Sequence, residues 1–217
     1  MEMLDLMKQR HSVRQYTDRV IEPEKRSDLN DLIRKINQNA GLHIQIFYEE
    51  PKCFDSMMAH YGKFTGVKNY IALVGKKSSK LEETLGYYGE QIVLKAQELG
   101  LNTCWVAMTH GKSQAQIGNG EKQVCLISIG YGCTNGVTHK VKSLQEVCNY
   151  REGMPEWFLN GMEAALLAPT AMNQQKFYFE LLSDGNVKVT SGKGFYTKLD
   201  LGIVKYHFDT VSKTHLL

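Results

Sequence analysis

Apolar residues recur along the chain with two spacings, one typical of helices and one typical of strands. Helical spacing predicts helices over residues 3–8, 23–39, 81–99, 144–147, 155–167 and 198–211. The helix over residues 81–99 has the clearest apolar face and ends at Gly100. Gly89 lies in its middle, where glycine costs about 1 kcal/mol relative to alanine, so another element is expected to pack closely there.

Alternating patterns and short apolar runs predict the strands. They lie at residues 42–50 (LHIQIFYEE), 70–75 (YIALVG), 101–108 (LNTCWVAM), 124–132 (VCLISIGYG), 177–181 and 187–190, the last two joined by a hairpin turn at Asp184-Gly185. Residues 51–69 show little periodicity and are predicted to form a loop with a helical turn. Helices and strands are intermingled without a linker. The chain is therefore predicted to be a single α+β domain over residues 1–217, with a central mixed sheet flanked by helices.

One arrangement occurs twice. A helix, a short loop and an alternating strand follow one another in residues 28–50 and again in residues 158–185, with an asparagine in each loop and a glutamine close to each strand. This similarity indicates a degenerate internal duplication.

Composition narrows the function classes. The net charge is only +3, and Lys and Arg are interleaved with Asp and Glu, so nucleic acid is not implied as a partner. The five cysteines are scattered without a CxxC spacing and the seven histidines are dispersed, which argues against a disulfide framework and a metal site. No apolar run reaches the length of a signal peptide or a membrane span, so a cytoplasmic protein is expected.

The segment RHSVR, residues 10–14, places two arginines and a serine together just after the first predicted helix. Two guanidinium groups and a hydroxyl suit a doubly charged phosphomonoester. The alternative is that Arg10 and Arg14 oppose the dipole of the helix C-terminus and stay solvated. The spacing alone leaves both interpretations open.

A second polar segment, APTAMNQQ at residues 168–175, follows the helix that Pro169 stops. Its Thr, Asn and Gln side chains are of the kind that contact amide edges and hydroxyls, although an ordinary polar loop has the same composition. No glycine-rich phosphate loop and no nucleophile with a partner base is present in the sequence. Demanding chemistry is therefore expected to come from a bound cofactor.

Three segments together resemble the nitroreductase-like flavin oxidoreductases. They are RHSVRQY, GYYGEQIVLKAQELGLNTCWVAM and APTAMNQQKF. In the usual family order the third motif follows soon after the first, whereas here it lies near residue 168, on the second copy of the repeated unit. This order resembles the branch typified by a nitroreductase-like protein of a thermophilic bacterium.

The resemblance implies a homodimer with FMN at its interface. Arg10, Ser12 and Arg14 would bind the FMN phosphate and its surroundings, and His11 would contribute mainly through its backbone. Ala107 and Met108 would place backbone near the reactive N5 edge of the flavin. The facing subunit would contribute Pro169, Thr170, Ala171, Asn173 and Gln175, and Lys205 would be a further phosphate contact.

The resemblance also implies a reaction. NADH or NADPH would give a hydride to the flavin, and a flat acceptor such as a nitroaromatic or a quinone would then take it. Two alternatives are a flavin-dependent dehalogenase-like activity, for which residues 54–66 could form a lid, and a flavin-binding protein or sensor without catalysis. The chain departs from the motifs at Thr170, which replaces serine, at Lys176-Phe177, which replace Pro-Trp, and at Gln91, which replaces asparagine.

Overall fold

The computed structural model describes residues 2–216 and divides the chain into two compact units. We call Gln9–Leu81 with Ile92–Thr138 the sheet unit, and Met1–Lys8, Glu82–Gln91 with His139–Leu217 the hairpin unit. The first copy of the repeated helix-loop-strand arrangement lies in the sheet unit and the second in the hairpin unit. The single domain over residues 1–217 stays a prediction, and its two terminal residues lie outside the described part.

The sheet unit is built on a four-stranded antiparallel sheet. Its strands are β1 (Gln45–Phe47), β2 (Tyr70–Lys76), β3 (Asn102–Val106) and β4 (Glu121–Gly130), in the order β1-β2-β4-β3. Its helices are α2 (Pro23–Ala40) and α3 (Met57–Tyr61), together with the C-terminal part of α4 (Leu81–Glu98). Strand β2 is buried on both faces from Tyr70 to Gly75, as its continuous apolar run predicts.

The predicted strand over residues 42–50 is largely wrong, because only Gln45–Phe47 forms a strand. The side-chain amide of Asn37, near the end of α2, donates to Ile44 O at 2.8 Å and accepts from Ile44 N at 2.9 Å. Both backbone groups of Ile44 are therefore occupied by a side chain. Leu42 pairs with Gly75 only as an isolated bridge.

The hairpin unit contains α1 (Met3–Gln9), α5 (Leu144–Val147), α6 (Glu156–Leu166), α7 (Thr197–Ser212) and the N-terminal part of α4. Strands β5 (Phe177–Leu181) and β6 (Val187–Ser191) form the predicted hairpin, with Gly185 in the left-handed conformation at φ 84°. Phe179 of β5 stacks on Phe208 of α7 with ring centroids 4.8 Å apart. These rings form part of the core of this unit.

The α+β class with flanking helices is confirmed, whereas the expectation of one mixed sheet needs correction. The strand pairs of the described residues are antiparallel and lie in two sheets, and parallel pairing occurs at isolated bridges such as Ser12 with Thr103. The turn at Asp184-Gly185 returns β6 directly along β5, and Ser12 contributes one bridge residue instead of a strand. Among residues 2–216, no helix is both long and apolar enough to cross a membrane.

Helix α4 crosses α7 at very short distance within the hairpin unit. A Cβ atom built on Gly86 would lie 2.1 Å from Leu199 O, and one built on Gly202 would lie 1.9 Å from Glu83 O. Only hydrogen atoms fit between the two backbones at these positions. Gly86 lies one turn before Gly89, which is itself buried, and the close packing predicted at Gly89 stays a prediction.

Candidate functional site

The RHSVR segment lies beside strand β3 in the sheet unit. Ser12 forms a parallel bridge with Thr103, and Val13 N donates to Thr103 O at 3.0 Å. Two residues further on, the buried Tyr16 hydroxyl donates to Val13 O at 2.8 Å and shares a hydrogen bond with Ser128 at 2.9 Å. The backbone of this segment is therefore fixed to the sheet at several points.

Arg10 and Arg14 both influence the pKa of one buried thiol, that of Cys104 in β3. Burial raises the pKa of the Cys104 thiol, and Arg14, a hydrogen bond from Ser12, and Arg10 each oppose that rise. Arg10 is 3% exposed, Ser12 is half-buried and Arg14 is exposed. The segment that carries these two guanidinium groups and one hydroxyl is thus held against β3 by its backbone, and such groups are the donors that a phosphate site requires. Cys104 itself is buried and protonated near neutral pH, which makes it a neighbour of the site and not a nucleophile.

A glycine closes the other side of the segment. A Cβ atom on Gly136 would lie 2.7 Å from the His11 Cβ and 3.1 Å from Ser12 O, and the φ of Gly136 is 74°. Any side chain here would both strain the backbone and push His11 and Ser12 away from their positions. In the sequence, one glycine in a polar loop has the pattern of an ordinary turn, so Gly136 carries no signal of its contact with this segment.

Ala107 and Met108 follow directly after β3, and Met108 is exposed. The next residues are fixed: Gly111 N donates to Cys53 O at 2.7 Å, and a Cβ on Gly62 would lie 2.6 Å from the Thr109 Cβ. Helix α3 therefore packs at its C-terminal end against the chain that follows Met108. The lid suggested for residues 54–66 stays a prediction, and this contact is where such a lid would meet the rest of the unit.

The polar turn, defined here as residues 170–175, lies in the hairpin unit and has an unusual backbone. Met172, Asn173 and Gln175 have φ values of 51°, 53° and 45°. Non-glycine residues rarely adopt the left-handed region, and three of them in four positions indicate strain that the surrounding structure must hold. Such strain is typical of binding sites, and it argues against an ordinary polar loop.

Side-chain amides hold the polar turn in place. Gln175 is buried; its Oε1 accepts from Lys142 N at 2.9 Å, and its Nε2 donates to Lys140 O at 2.8 Å and to the Asn173 Oδ1 at 2.9 Å. Asn173 Nδ2 also donates to Lys140 O at 2.8 Å, and Gln175 N donates to the Thr170 hydroxyl at 3.1 Å. The amides of Asn173 and Gln175 therefore have partners within the chain, and both residues act first as supports of the turn.

A carboxylate outside the sequence motifs anchors the same turn. Asp200, in the first turn of α7, is 5% exposed and accepts from Ala171 N at 2.9 Å and from Gln174 Nε2 at 2.7 Å. Burial raises the pKa of the Asp200 carboxyl to about 6, against the effect of those two hydrogen bonds. An acidic residue at this position would ordinarily be read as a partner of the helix dipole, so the sequence offers no separate signal for its contact with the turn.

Asp200 is expected to make stability depend on pH. Its folded-state pKa lies above the ordinary value of 3.8, so the folded state binds more protons between about pH 4 and pH 6. Stability therefore falls as the pH rises through this window and is level above it. From pH 5 to pH 7.5 we expect the free energy of unfolding to fall by about 1 to 1.5 kcal/mol more in the unmodified protein than in Asp200→Asn, measured by urea denaturation.

Asp184→Asn is the matched control for this measurement. Hydrogen bonds from Asn186 lower the pKa of the Asp184 carboxyl, which moves its titration further away from the compared range. This replacement should leave the difference between the two pH values unchanged. Equal pH dependence in the unmodified protein and Asp200→Asn would contradict the role given to the buried carboxyl.

A family model described as "Putative TM nitroreductase" matches residues 2–212 of the chain. The protein belongs to this nitroreductase family. The recognition made from the three motifs is thus confirmed. No curated protein is similar enough to count as a match.

Solved structures of nitroreductases share the fold. A putative nitroreductase from Thermotoga maritima superimposes with a TM-score of 0.71 at 23% identity, covering 97% of this chain and 83% of that one. A nitroreductase family protein from Streptococcus pneumoniae gives 0.55 at 14% identity, covering 69% and 100%. A putative nitroreductase from Desulfovibrio desulfuricans, solved in complex with FMN, gives 0.54 at 18% identity, covering 70% and 98%. At these identities the likeness establishes the fold.

Lys205, the further phosphate contact that the resemblance implies, already has an acidic partner within the chain. It lies in α7, where its ammonium forms an ion pair with Glu83 of α4 and donates to Leu216 O at 3.1 Å. A phosphate contact at Lys205 stays a prediction, and it would have to compete with this pair.

His207, two residues further along α7, is fully buried, with Nε2 2.9 Å from Glu90 Oε1 and Nδ1 2.9 Å from Ala164 O. These contacts give His207 a structural role in the nitroreductase core.

Proposed function

We propose that the protein is an FMN-dependent oxidoreductase that transfers a hydride from NADH or NADPH to a flat acceptor such as a nitroaromatic or a quinone. The observation that carries the proposal is that Arg10, Ser12 and Arg14 lie in one segment whose backbone is fixed to Thr103 of β3. Membership of the nitroreductase family and the FMN complex of the Desulfovibrio desulfuricans protein support it. A homodimer and a cytoplasmic location are further parts of the proposal.

The residues present fit the phosphate end of FMN. Guanidinium groups and a hydroxyl are the donors that a phosphomonoester requires, and Arg14 forms no ion pair with an acidic side chain among residues 2–216. Gly136 allows the backbone to approach His11 and Ser12 where a side chain would not fit. Arg10, Ser12 and Arg14 would hold the phosphate end, and Ala107 and Met108 would place backbone near the ring. The polar turn would come from the facing subunit of the proposed homodimer.

Bound FMN would supply the hydride acceptor and donor that the side chains of this protein do not provide. The protein itself would then bind the cofactor and stabilise charge on it. Arg10 or Arg14 would stabilise negative charge on the cofactor in a partly water-excluded place, which strengthens the interaction. The strained polar turn, held by Gln175 and Asp200, would present a fixed surface without reorganising during the reaction.

The visible absorption spectrum of the purified protein, before and after incubation with FMN, tests the proposal directly. We expect a flavin spectrum that NADH or NADPH bleaches under anaerobic conditions and that a quinone such as menadione restores. Protein without flavin absorbance after incubation would overturn the proposal. A bound flavin that neither nucleotide reduces would favour a flavin-binding sensor, and turnover of a halogenated phenol in place of menadione would favour a dehalogenase-like activity.

A further inference from the structure

We propose that the surface around the polar turn binds the 2′-phosphate of NADPH, so that the protein prefers NADPH to NADH as its electron donor. The inference rests on the proposed function and adds the identity of the donor. It concerns the hairpin unit alone and rests on lysines that the FMN assignment does not use.

Three segments of the hairpin unit meet at the polar turn. Residues 139–143 reach it through the bonds from Asn173 and Gln175 to Lys140 O. Residues 191–198 reach it through the 2.9 Å bond from Gly192 N to Lys176 O and the 2.9 Å bond from Gln174 Nε2 to Phe195 O. One continuous surface of this unit is therefore formed by the turn, the segment before α5 and the segment between β6 and α7.

The segments that form this surface contain basic residues and no acidic ones. The three segments, residues 139–143, 170–176 and 191–198, contain five lysines and no Asp or Glu; the lysines are Lys140, Lys142, Lys176, Lys193 and Lys198. Within the part of the chain that the structure describes, none of the five forms an ion pair with a carboxylate. The neighbouring acids are committed elsewhere, because Glu146 caps Ser143 at the start of α5 and buried Asp200 accepts from the turn. The surface has an excess of positive charge that an anionic ligand would neutralise.

Two of the ammonium groups are fixed next to the turn. Lys142 Nζ donates to Gln175 O at 3.1 Å, and Lys176 Nζ donates to Lys193 O at 3.0 Å. Each bond uses one of the three N–H donors of an ammonium and leaves two for a ligand. Because these side chains are already ordered, a phosphate would not have to pay the full entropy of fixing them.

The same surface exposes an aromatic ring beside the lysines. Phe195 is 76% exposed although its carbonyl is bound by Gln174, and Met172 at the tip of the turn is 84% exposed. Bases of nucleotides stack on exposed aromatic rings, and phosphates bind the ammonium groups. This combination favours a nucleotide over a bare anion. NADPH carries one phosphomonoester more than NADH, so a lysine-rich surface of this kind would discriminate between the two.

Binding of nucleotide fragments to the full-length protein tests the inference without requiring turnover. By isothermal titration calorimetry we expect adenosine 2′,5′-bisphosphate to bind at least about tenfold more tightly than 5′-AMP, the scale of one charged hydrogen bond. It should also bind more tightly than 5′-ADP, which has two phosphates in a different arrangement. Lys142→Ala with Lys176→Ala should remove this preference. Lys188→Ala is the matched control, because Lys188 lies 3.8 Å from Glu180 and already has an acidic partner.

Steady-state kinetics of the FMN-loaded protein with menadione provide the second measurement. We expect the double replacement to raise the KM for NADPH by about tenfold or more while that for NADH changes little. Lys176 is exposed, and Lys176→Ala alone should give part of the effect, which keeps the test decidable if the double variant is unstable.

The inference would be overturned if adenosine 2′,5′-bisphosphate bound no more tightly than 5′-AMP or than 5′-ADP, or if duplex DNA bound more tightly than this bisphosphate at the same salt concentration. Fragment binding does not depend on flavin, so failure of the FMN assignment would be seen separately in the spectrum.

Discussion

Replacing both Arg10 and Arg14 with alanine is expected to yield a protein that purifies without FMN and takes it up only weakly. Each charged hydrogen bond to a phosphate contributes about 1.5 to 3 kcal/mol, so each arginine should change the dissociation constant by about one to two orders of magnitude. The dissociation constant is measured by quenching of flavin fluorescence on addition of protein.

The two single replacements should differ in kind. Arg10 is 3% exposed, so Arg10→Ala also leaves unfilled space and is expected to lower stability, whereas Arg14 is exposed and Arg14→Ala should affect binding alone. Arg14→Lys keeps the charge but loses the planar pair of donors, and an intermediate affinity is expected. Arg34→Ala, which removes an exposed arginine paired with Asp31 on α2, is the control and should bind FMN normally. Unchanged FMN affinity in the double variant would rule out the phosphate site at this segment.

Gly202→Ala is expected to destabilise the protein by about 3 kcal/mol or more, although alanine is ordinarily the better helix former by about 1 kcal/mol. The sign is reversed because the new Cβ would lie 1.9 Å from Glu83 O and 2.6 Å from Tyr87 N. Both are backbone atoms of α4, so the clash is relieved only if the two helices separate. The free energy of unfolding from urea denaturation measures the effect.

Gly185→Ala is the control that distinguishes a steric clash from the general effect of replacing a glycine. Gly185 lies in the same unit at φ 84° with no atom within 4 Å of a built Cβ, so its replacement should cost only the strain of a left-handed residue, about 1 to 2 kcal/mol. If Gly202→Ala proves as stable as the unmodified protein, the backbones of α4 and α7 are not in contact at this crossing.

Local patterns were sufficient for most of the elements. The helix predicted over residues 81–99 is observed as Leu81–Glu98, and the one from Pro23 ends at Ala40, followed by Gly41 in the left-handed conformation. The hairpin at Asp184-Gly185 forms as predicted. These elements depend on periodicity, on an N-terminal proline and on turn glycines, which act over a few residues and can be read directly from the sequence.

Elements that depend on distant partners were predicted less well. The strand at residues 42–50 was shortened by the amide of Asn37, and the close helix crossing at Gly86 was not predicted. Neither the competing hydrogen bond nor the helix that meets Gly86 can be seen in a local pattern, because each partner comes from another element.

The candidate site likewise has features that the sequence predicts and features that it does not. The sequence by itself determined the family, through three motifs, and the residue types that would bind an anionic cofactor. Only the tertiary structure decided that the segment with Arg10 and Arg14 lies against β3, that the polar turn is strained, and that Asp200 and two lysine-bearing segments contact this turn. The physical reason is that charge, burial and strain are properties of neighbours in space, and a chain acquires those neighbours only when it folds.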